Sequence, residues 1–587
     1  MGRIVLRFLA VIGALFIFIV VAGLLIAAVR GKGSVHSKTV LEVNLETGLI
    51  ENIPDDPVAQ AMLRDKPIVR DVVDAIDKAS TDARVAGMVA RFGASTVGVA
   101  QAQEVRDAVI RFRGHKKFAY AFAEGFGGDG GPGTSAYYLA TAFDRIYLQP
   151  SGDVQLTGIV MESPFIAGSL EKLGMKFHGD HRYEYKTALN LFTEKKFTPA
   201  HKESYEKIMN SWYGQIVNGI SQAREIPVDQ VKALIDRAPF LGQEAVDAKL
   251  VDGLKYRDEV YDEAKSKAGS DAELLYLDKY LDRAGRPHTT GKTVALIYGV
   301  GTVTRARSSY DPIFGSPSMG SDTVAGAIRA AVKDKDVKAI LFRVDSPGGS
   351  YVASDAIWHE VALARNAGKP VIVSMGDLAG SGGYFVAMGA DKIVAQPGTI
   401  TASIGVLSGK MLTTGGWNKL GVSWDEVHAG NNATIFTGTH DYTPQEWARF
   451  QASLDRVYVD FTRKVADGRH LPKERVLEIA KGRIWSGEDA RQLGLVDELG
   501  GFDVALKLTK QAINVSQDED VNLKVFPKKK NFMEALLSRG AENSEKEANA
   551  DVMVRALQII QPVARSMQML TGVSDRELVM PLADPAQ

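Results

Sequence analysis

Cysteine is missing from all 587 residues, which excludes disulfides, thiolate nucleophiles and cysteine-based zinc or iron–sulfur sites. An excess of either charge is missing too. Seventy Lys and Arg stand against 71 Asp and Glu, a formal net charge of -1, without the basic surplus that holds nucleic acid. The 10 histidines are scattered, and none accompanies an aspartate in a triad-like pattern; His359 reads as a surface or packing residue. Nothing in the chain implies a metal or an organic cofactor. Long apolar runs are absent with one exception. Residues 8–29, "FLAVIGALFIFIVVAGLLIAAV", are 22 uncharged apolar residues, enough for a helix to cross a bilayer core of ~30 Å. The run fits an uncleaved transmembrane anchor better than a signal peptide, whose apolar region is shorter. Arg3 and Arg7 precede it while Arg30 and Lys32 follow, so flanking charge does not fix its orientation. With no second such run, the rest of the chain is expected on one side of a membrane.

What is there is ordinary for folded protein, 45% apolar and 24% charged, in a chain too long for one hydrophobic core. The chain contains itself twice. "AYYLATAFDRIYLQP" (Ala136–Pro150) matches "GYFVAMGADKIVAQP" (Gly383–Pro397) at a constant offset of 247 residues. The same offset pairs "KLG" at Lys172–Gly174 with Lys419–Gly421 and Gly158 with Gly405. Further on the offset becomes 245, where "KLVDGL" (Lys249–Leu254) faces "GLVDEL" (Gly494–Leu499); earlier it is 252, pairing "VAGMVARF" (Val85–Phe92) with "VKAILFRV" (Val337–Val344). An ordered series of this kind marks a tandem duplication. Both copies alternate β-branched runs with helical patterns, which predicts α/β domains with a mainly parallel sheet. The predicted organisation is an anchor at 8–29, a first repeat at 38–255, a helical connector and linker at 256–291 and a second repeat at 292–526. A polar tail follows at 527–587, with an amphipathic terminal helix from Val552 to Leu570.

In the second copy one serine stands among glycines. "PVIVSM" reads as a strand and "GYFVAMGAD" as the start of a helix, so Ser381 in "AGSGGYF" falls on a strand-to-helix turn. A nucleophile there can project while the helix start offers backbone N–H groups to a developing oxyanion. A second turn, "RVDSPGGS" (Arg343–Ser350), adds Gly348 and Gly349 as further N–H donors. The esterase elbow G-x-S-x-G is not matched, because Ala379 holds its first position. The first copy has "RFGASTVG" (Arg91–Gly98) in place of the double glycine and Thr134 opposite Ser381, so only the second keeps the nucleophile equipment.

"DSPGGS", then "AGSGGYF", then "TITASIGV" (Thr399–Val406) resemble the signal peptide peptidase A family, also called protease IV, peptidase family S49 of the ClpP/crotonase-like superfamily. The duplication and the N-terminal apolar run resemble the long bacterial form, and the likeness covers nearly residues 1–510. The resemblance implies two tandem ClpP/crotonase-like domains after one transmembrane helix, and a Ser/Lys-dyad peptidase that degrades cleaved signal peptides and other extended apolar peptides. It further implies a bacterial inner-membrane location, a periplasmic catalytic part and a homotetramer. In short, unduplicated members the lysine follows the serine. At that distance this chain has Ala433 in "HAGNNATI"; one repeat offset earlier stands Lys186, in the "YKTA" stretch where long members carry their lysine.

The expected roles are therefore Ser381 as nucleophile and Lys186 as general base, with Ser403 orienting the lysine. Gly382 and the Gly348–Gly349 turn would form the oxyanion hole. A lysine base must be neutral, which requires desolvation or a neighbouring cation, because its unperturbed pKa is ~10.4. Since one copy keeps the serine and the other the lysine, the site is expected to be composite. Two alternatives stand beside this reading: a crotonase-type acyl-CoA enzyme that uses the glycine N–H groups without a serine, and a non-catalytic membrane scaffold.

Overall fold

The computed structural model of the chain describes residues 33–94, 97–128, 131–527 and 577–579. The apolar run at 8–29 and the amphipathic stretch from 552 to 570 lie outside them. Among the described residues no helix is long and apolar enough to cross a membrane.

The first repeat is built on β1 (Thr39–Asn44), β2 (Val85–Phe92), β3 (Phe118–Ala123) and β4 (Arg145–Leu148). These are short runs rich in Val, Ala and aromatic residues, apolar on both faces as a sheet covered by helices on each side requires. A separate strand, β5 (Lys176–His181), lies outside this sheet, and β6 (Gly253–Leu254) and β7 (Glu273–Tyr276) return to its edges. The order is β6-β4-β3-β2-β1-β7, parallel throughout. Position β7 differs from the expectation of a linker over 256–291. That stretch does carry two helices, Arg257–Ala268 and Leu277–Ala284, but between them "ELLY" pairs in parallel with β1. Charged neighbours mask so short an edge strand in the sequence.

The second repeat repeats the plan with β8 (Lys292–Val300), β9 (Thr302–Thr304), β10 (Val337–Ser346), β11 (Gly348–Ser350), β12 (Val371–Gly380) and β13 (Lys392–Ala395). There follow β14 (Ile400–Ala402), β15 (Leu407–Leu412), β16 (Ile484–Ser486), β17 (Glu498–Leu499) and β18 (Val521–Phe526). Its main sheet runs β16-β14-β12-β10-β8-β18, with β13 on β12 and β17 on β13. Thus β1, β2, β3, β4, β6 and β7 are answered by β8, β10, β12, β13, β17 and β18, which is the duplication seen as topology. A smaller sheet holds β9 and β11, and its far edge is β19 (Glu577–Val579).

The repeats are joined through buried polar groups as well as apolar ones. Arg343 on β10 makes a bidentate pair with Glu51 (2.8 and 3.0 Å) and reaches Glu104 (2.9 Å), all three buried. Helix α1 (Val99–Gly114) of the first repeat has no side-chain cap of its own. Asp377 at the end of β12 supplies one, accepting from the N–H groups of Ala100 (2.9 Å) and Gln101 (3.0 Å). Finally β5 of the first repeat pairs antiparallel with β15 of the second, from Lys176↔Leu412 to His181↔Leu407. The residue after β5, Arg182, continues the clasp by donating its N–H to Val406. This clasp brings the chain segment that carries Lys186 over the second repeat.

Candidate active site

Ser381 follows β12 directly and precedes the helix Gly382–Ala387, as the strand-to-helix expectation required. Its backbone is held at φ 54 and ψ -114, a left-handed conformation rare for a residue with a side chain. Two backbone bonds hold it there: Ser381 N–H donates to Ala402 (2.7 Å), and its carbonyl accepts from Phe385 (2.8 Å) in the first helical turn. Ser381 is fully buried.

Lys186 arrives from the first repeat on the turn that follows β5. Its Nζ lies 2.6 Å from Ser381 Oγ, 2.9 Å from the Ser403 carbonyl and 3.0 Å from Ser403 Oγ. The lysine has 0% relative exposure, and burial alone holds its amine well below the ordinary lysine range. In that neutral form the amine has two N–H groups and one lone pair. The two oxygens of Ser403 can take both N–H groups, which leaves the lone pair facing the Ser381 hydroxyl.

Ser403 presents both oxygens because the backbone there is bent twice, with φ 67 at Ala402 and φ 51 at Ser403. The Ser403 N–H is tied to the Arg483 carbonyl at 2.9 Å. Consecutive positive φ values at side-chain-bearing residues cost free energy, and such strain is characteristic of functional sites.

The glycines converge on the same place. A methyl group on Gly382 would sit 3.0 Å from the Gly349 amide nitrogen, 3.2 Å from Gly348 Cα and 2.7 Å from Ser354 Oγ. Gly349, at φ 146, lies so close to β9 that a Cβ there would meet the Val303 carbonyl at 2.2 Å. The two candidate glycines of this turn differ in one respect. Gly348 N–H donates to Ser346 Oγ at 3.2 Å, whereas the Gly349 nitrogen faces Gly382.

One residue essential to this geometry escaped the sequence reading. Gly482, at φ 81, packs on the lysine backbone, and a Cβ on it would lie 2.5 Å from both Cβ and N of Lys186. A signal was available: at the 245-residue offset the first copy has Arg237 where the second has this glycine. The counterpart positions carry no equivalent pair. Thr134 Oγ accepts the Gly158 N–H (3.1 Å), and Ala433 is exposed. His359 is exposed on its helix.

Comparison with known proteins identifies the family. The family model for peptidase family S49 matches residues 128–271 and 363–516, one block in each repeat. The chain is 33% identical over 469 residues to Protease 4 of Salmonella typhi, covering 76% of this chain and 74% of that protein. It is 31% identical over 473 residues to Protease 4 of Haemophilus influenzae, covering 77% and 74%. It is 29% identical over 454 residues to the chloroplastic serine protease SPPA of Arabidopsis thaliana, spanning 76% of this chain and 66% of the relative's length. With both repeats matched and the bacterial relatives covered over most of their length, the chain belongs to peptidase family S49, and it is a serine peptidase.

Proposed function

We propose that Ser381 is the nucleophile and Lys186 the general base of this peptidase. The carrying observation is the 2.6 Å approach of a fully buried lysine amine, held well below the ordinary lysine range by that burial, to the serine hydroxyl. Ser381 Oγ attacks the scissile carbonyl while its proton passes to Lys186 Nζ. The oxyanion is met by the N–H groups of Gly382 and Gly349, since the Ser381 N–H is already given to Ala402. Nζ then returns the proton to the leaving amine, and an acyl-enzyme remains on Ser381. Lys186 next takes a proton from water, which hydrolyses the ester and frees the serine. Ser403 keeps the amine aimed throughout. A crotonase-type acyl-CoA enzyme has no use for a Ser–Lys pair, and a scaffold has no use for a strained one. Replacing Ser381 by Ala should abolish peptide turnover, by on the order of 10³-fold or more, with an unchanged melting temperature. A fluorophosphonate should label the wild type and spare the variant. Turnover near the wild-type rate in Ser381→Ala would overturn the assignment.

Substrates are proposed to be cleaved signal peptides and other extended apolar peptides, cleaved at the periplasmic face of a bacterial inner membrane to which residues 8–29 anchor the chain. Supporting the extended form is β11, a short strand beside Ser381 that a peptide backbone can join.

The duplication supports a closed homotetramer. Within the chain, β5 of the first repeat pairs with β15 of the second. Moved by the repeat offset, those partners become residues 423–428 ("SWDEVH") and 160–165 ("VMESPF"). Among the described residues neither stretch is paired in a sheet, and Val160, Trp424 and Val427 are 58%, 56% and 100% exposed. Pairing 423–428 of one chain with 160–165 of the next repeats the internal clasp between chains, head to tail, and closes as a ring.

A further inference from the structure

Lys186 has no exposed surface, and the outer wall that covers it is made of side chains the dyad does not use. The residue before it, Tyr185, gives its N–H to the Lys481 carbonyl (3.2 Å), and Gly482 presses on the lysine backbone. The next residue, Arg483, reaches back across the junction. Its guanidinium carbon lies 4.5 Å from the centre of the Tyr185 ring and 4.7 Å from that of Trp485 on β16, a cation held by two aromatic faces. Its Nη2 donates to Glu203 at 2.6 Å, and the other oxygen of that carboxylate accepts the Tyr185 hydroxyl, also at 2.6 Å. Glu203 stands on the helix Pro199–Arg224 of the first repeat, so the group spans both copies. The Glu203 side chain is 54% exposed and that of Arg483 16%, which sets the arginine between solvent and the tyrosine that precedes the buried lysine.

We propose that Arg483 is a positioning residue of this peptidase: by pinning Tyr185 it seals the lysine chamber against water and so keeps Lys186 able to act as a base. This inference rests on the Ser381–Lys186 reading. Three observations converge on it. Arg483 serves both sides of the chamber, since its guanidinium holds Tyr185 while its carbonyl accepts the N–H of Ser403, the residue that aims the amine (2.9 Å). The group exists only where a lysine docks. At the repeat offsets the first copy has Ala238 for Arg483, and the second has Asn432 for Tyr185 and Ala448 for Glu203. Finally, no neighbouring charge does the work in its place. Glu184 is paired with Lys481 (3.7 Å), Glu203 with Arg483, and Lys207 sits over the Trp485 ring (5.0 Å). The lysine amine is nonetheless held low by burial alone, and burial is what a seal controls.

The pH dependence of kcat/KM reads the base of the free enzyme. In Arg483→Ala, water reaches the amine and its pKa returns toward the ordinary range. The acidic limb of the profile should move to higher pH by ~1 unit or more, with activity recovering at alkaline pH and KM unchanged. Arg483→Lys keeps the stem and the charge but not the planar fork, and should move the limb the same way by less. An arginine with a merely structural role would lower the rate by one factor at every pH, so a limb unmoved in both variants overturns the proposal. A second readout needs no turnover. In the Ser381→Ala chain the melting temperature should rise across about pH 6 to 9, because the folded amine gives up its proton at lower pH than the unfolded one. Glu203, accepting from Tyr185 and Arg483, titrates below that window; Tyr185, donating to Glu203, and the buried Tyr458 titrate above it. Adding Arg483→Ala should flatten the rise toward the slope seen with Lys186→Met, and an unchanged slope overturns the proposal equally. If Lys186 is not the base, Lys186→Arg stays active while the melting slope still responds to Arg483, so the two failures are told apart.

Discussion

At the scale of single residues, Lys186 is the group whose environment decides the chemistry. Burial without a carboxylate partner holds its amine well below the ordinary lysine range, which favours the neutral form a base requires and which a folded chain normally avoids. Three outcomes follow. Lys186→Arg keeps a positive charge but cannot accept a proton, so turnover should fall by on the order of 10³-fold, measured against Ser381→Ala as the floor. Wild-type activity should rise with pH as the remaining protonated amine is lost. Stability carries the same sign. The unfolded lysine binds a proton up to its ordinary pKa while the folded one does not, so stability increases with pH between the depressed folded value and the unfolded value. Lys186→Met lacks this term. It should melt a few degrees above the wild type at neutral pH, with the gap closing toward pH 10, as differential scanning calorimetry across the range would show.

Gly482 belongs at this scale too. Gly482→Ala forces a Cβ into Lys186 at a φ that side chains resist, so it should lose both stability, by roughly 1–3 kcal/mol, and most of kcat. Its position also shows where sequence reading stops. Ser381, Lys186 and Ser403 could be found because motif strings and a repeat offset carry them. Gly482 matters because one backbone passes another, and its trace in the sequence is no motif but a glycine where the first copy has Arg237.

Among elements, the most telling is helix α1, whose cap comes from the other repeat. Burial pushes the Asp377 carboxyl up to about 7, yet one oxygen satisfies two helix N–H groups. Asp377→Ala should cost about 1–2 kcal/mol in chemical unfolding, while Asp377→Asn, which keeps the accepting oxygen, should cost much less. Equal losses would mean that charge rather than capping holds the junction. The central strands of the second sheet were legible as β-branched runs, and the helices between them as helical patterns. Of the strands that were not, two are telling. The edge strand Glu273–Tyr276 is hidden by charged neighbours, and Glu577–Val579 is a strand only by virtue of a distant glycine turn. Both are short, and pairing rather than composition makes them.

For the whole molecule, the serine and the lysine meet within one chain. Ser381→Ala and Lys186→Ala chains, mixed or co-expressed, should therefore give dead oligomers; restored activity would mean that a neighbour supplies the lysine. The proposed ring has its own check. Trp424→Asp, on the free counterpart of β5, should lower the mass measured by light scattering toward that of one chain, with the internal β5–β15 clasp intact.

Dividing the dyad between the two copies also sets a clock. Synthesis runs from the N-terminus, so the half that carries Lys186 emerges first and meets no serine. The half that carries Ser381 finds its base only after both sheets have formed and β5 has closed over β15. If Ser381 and Lys186 act as proposed, a chain interrupted, truncated or misfolded in either half should be chemically inert. On the proposed dyad, hydrolytic power is thus withheld from every incomplete molecule and conferred by the last step of its own assembly.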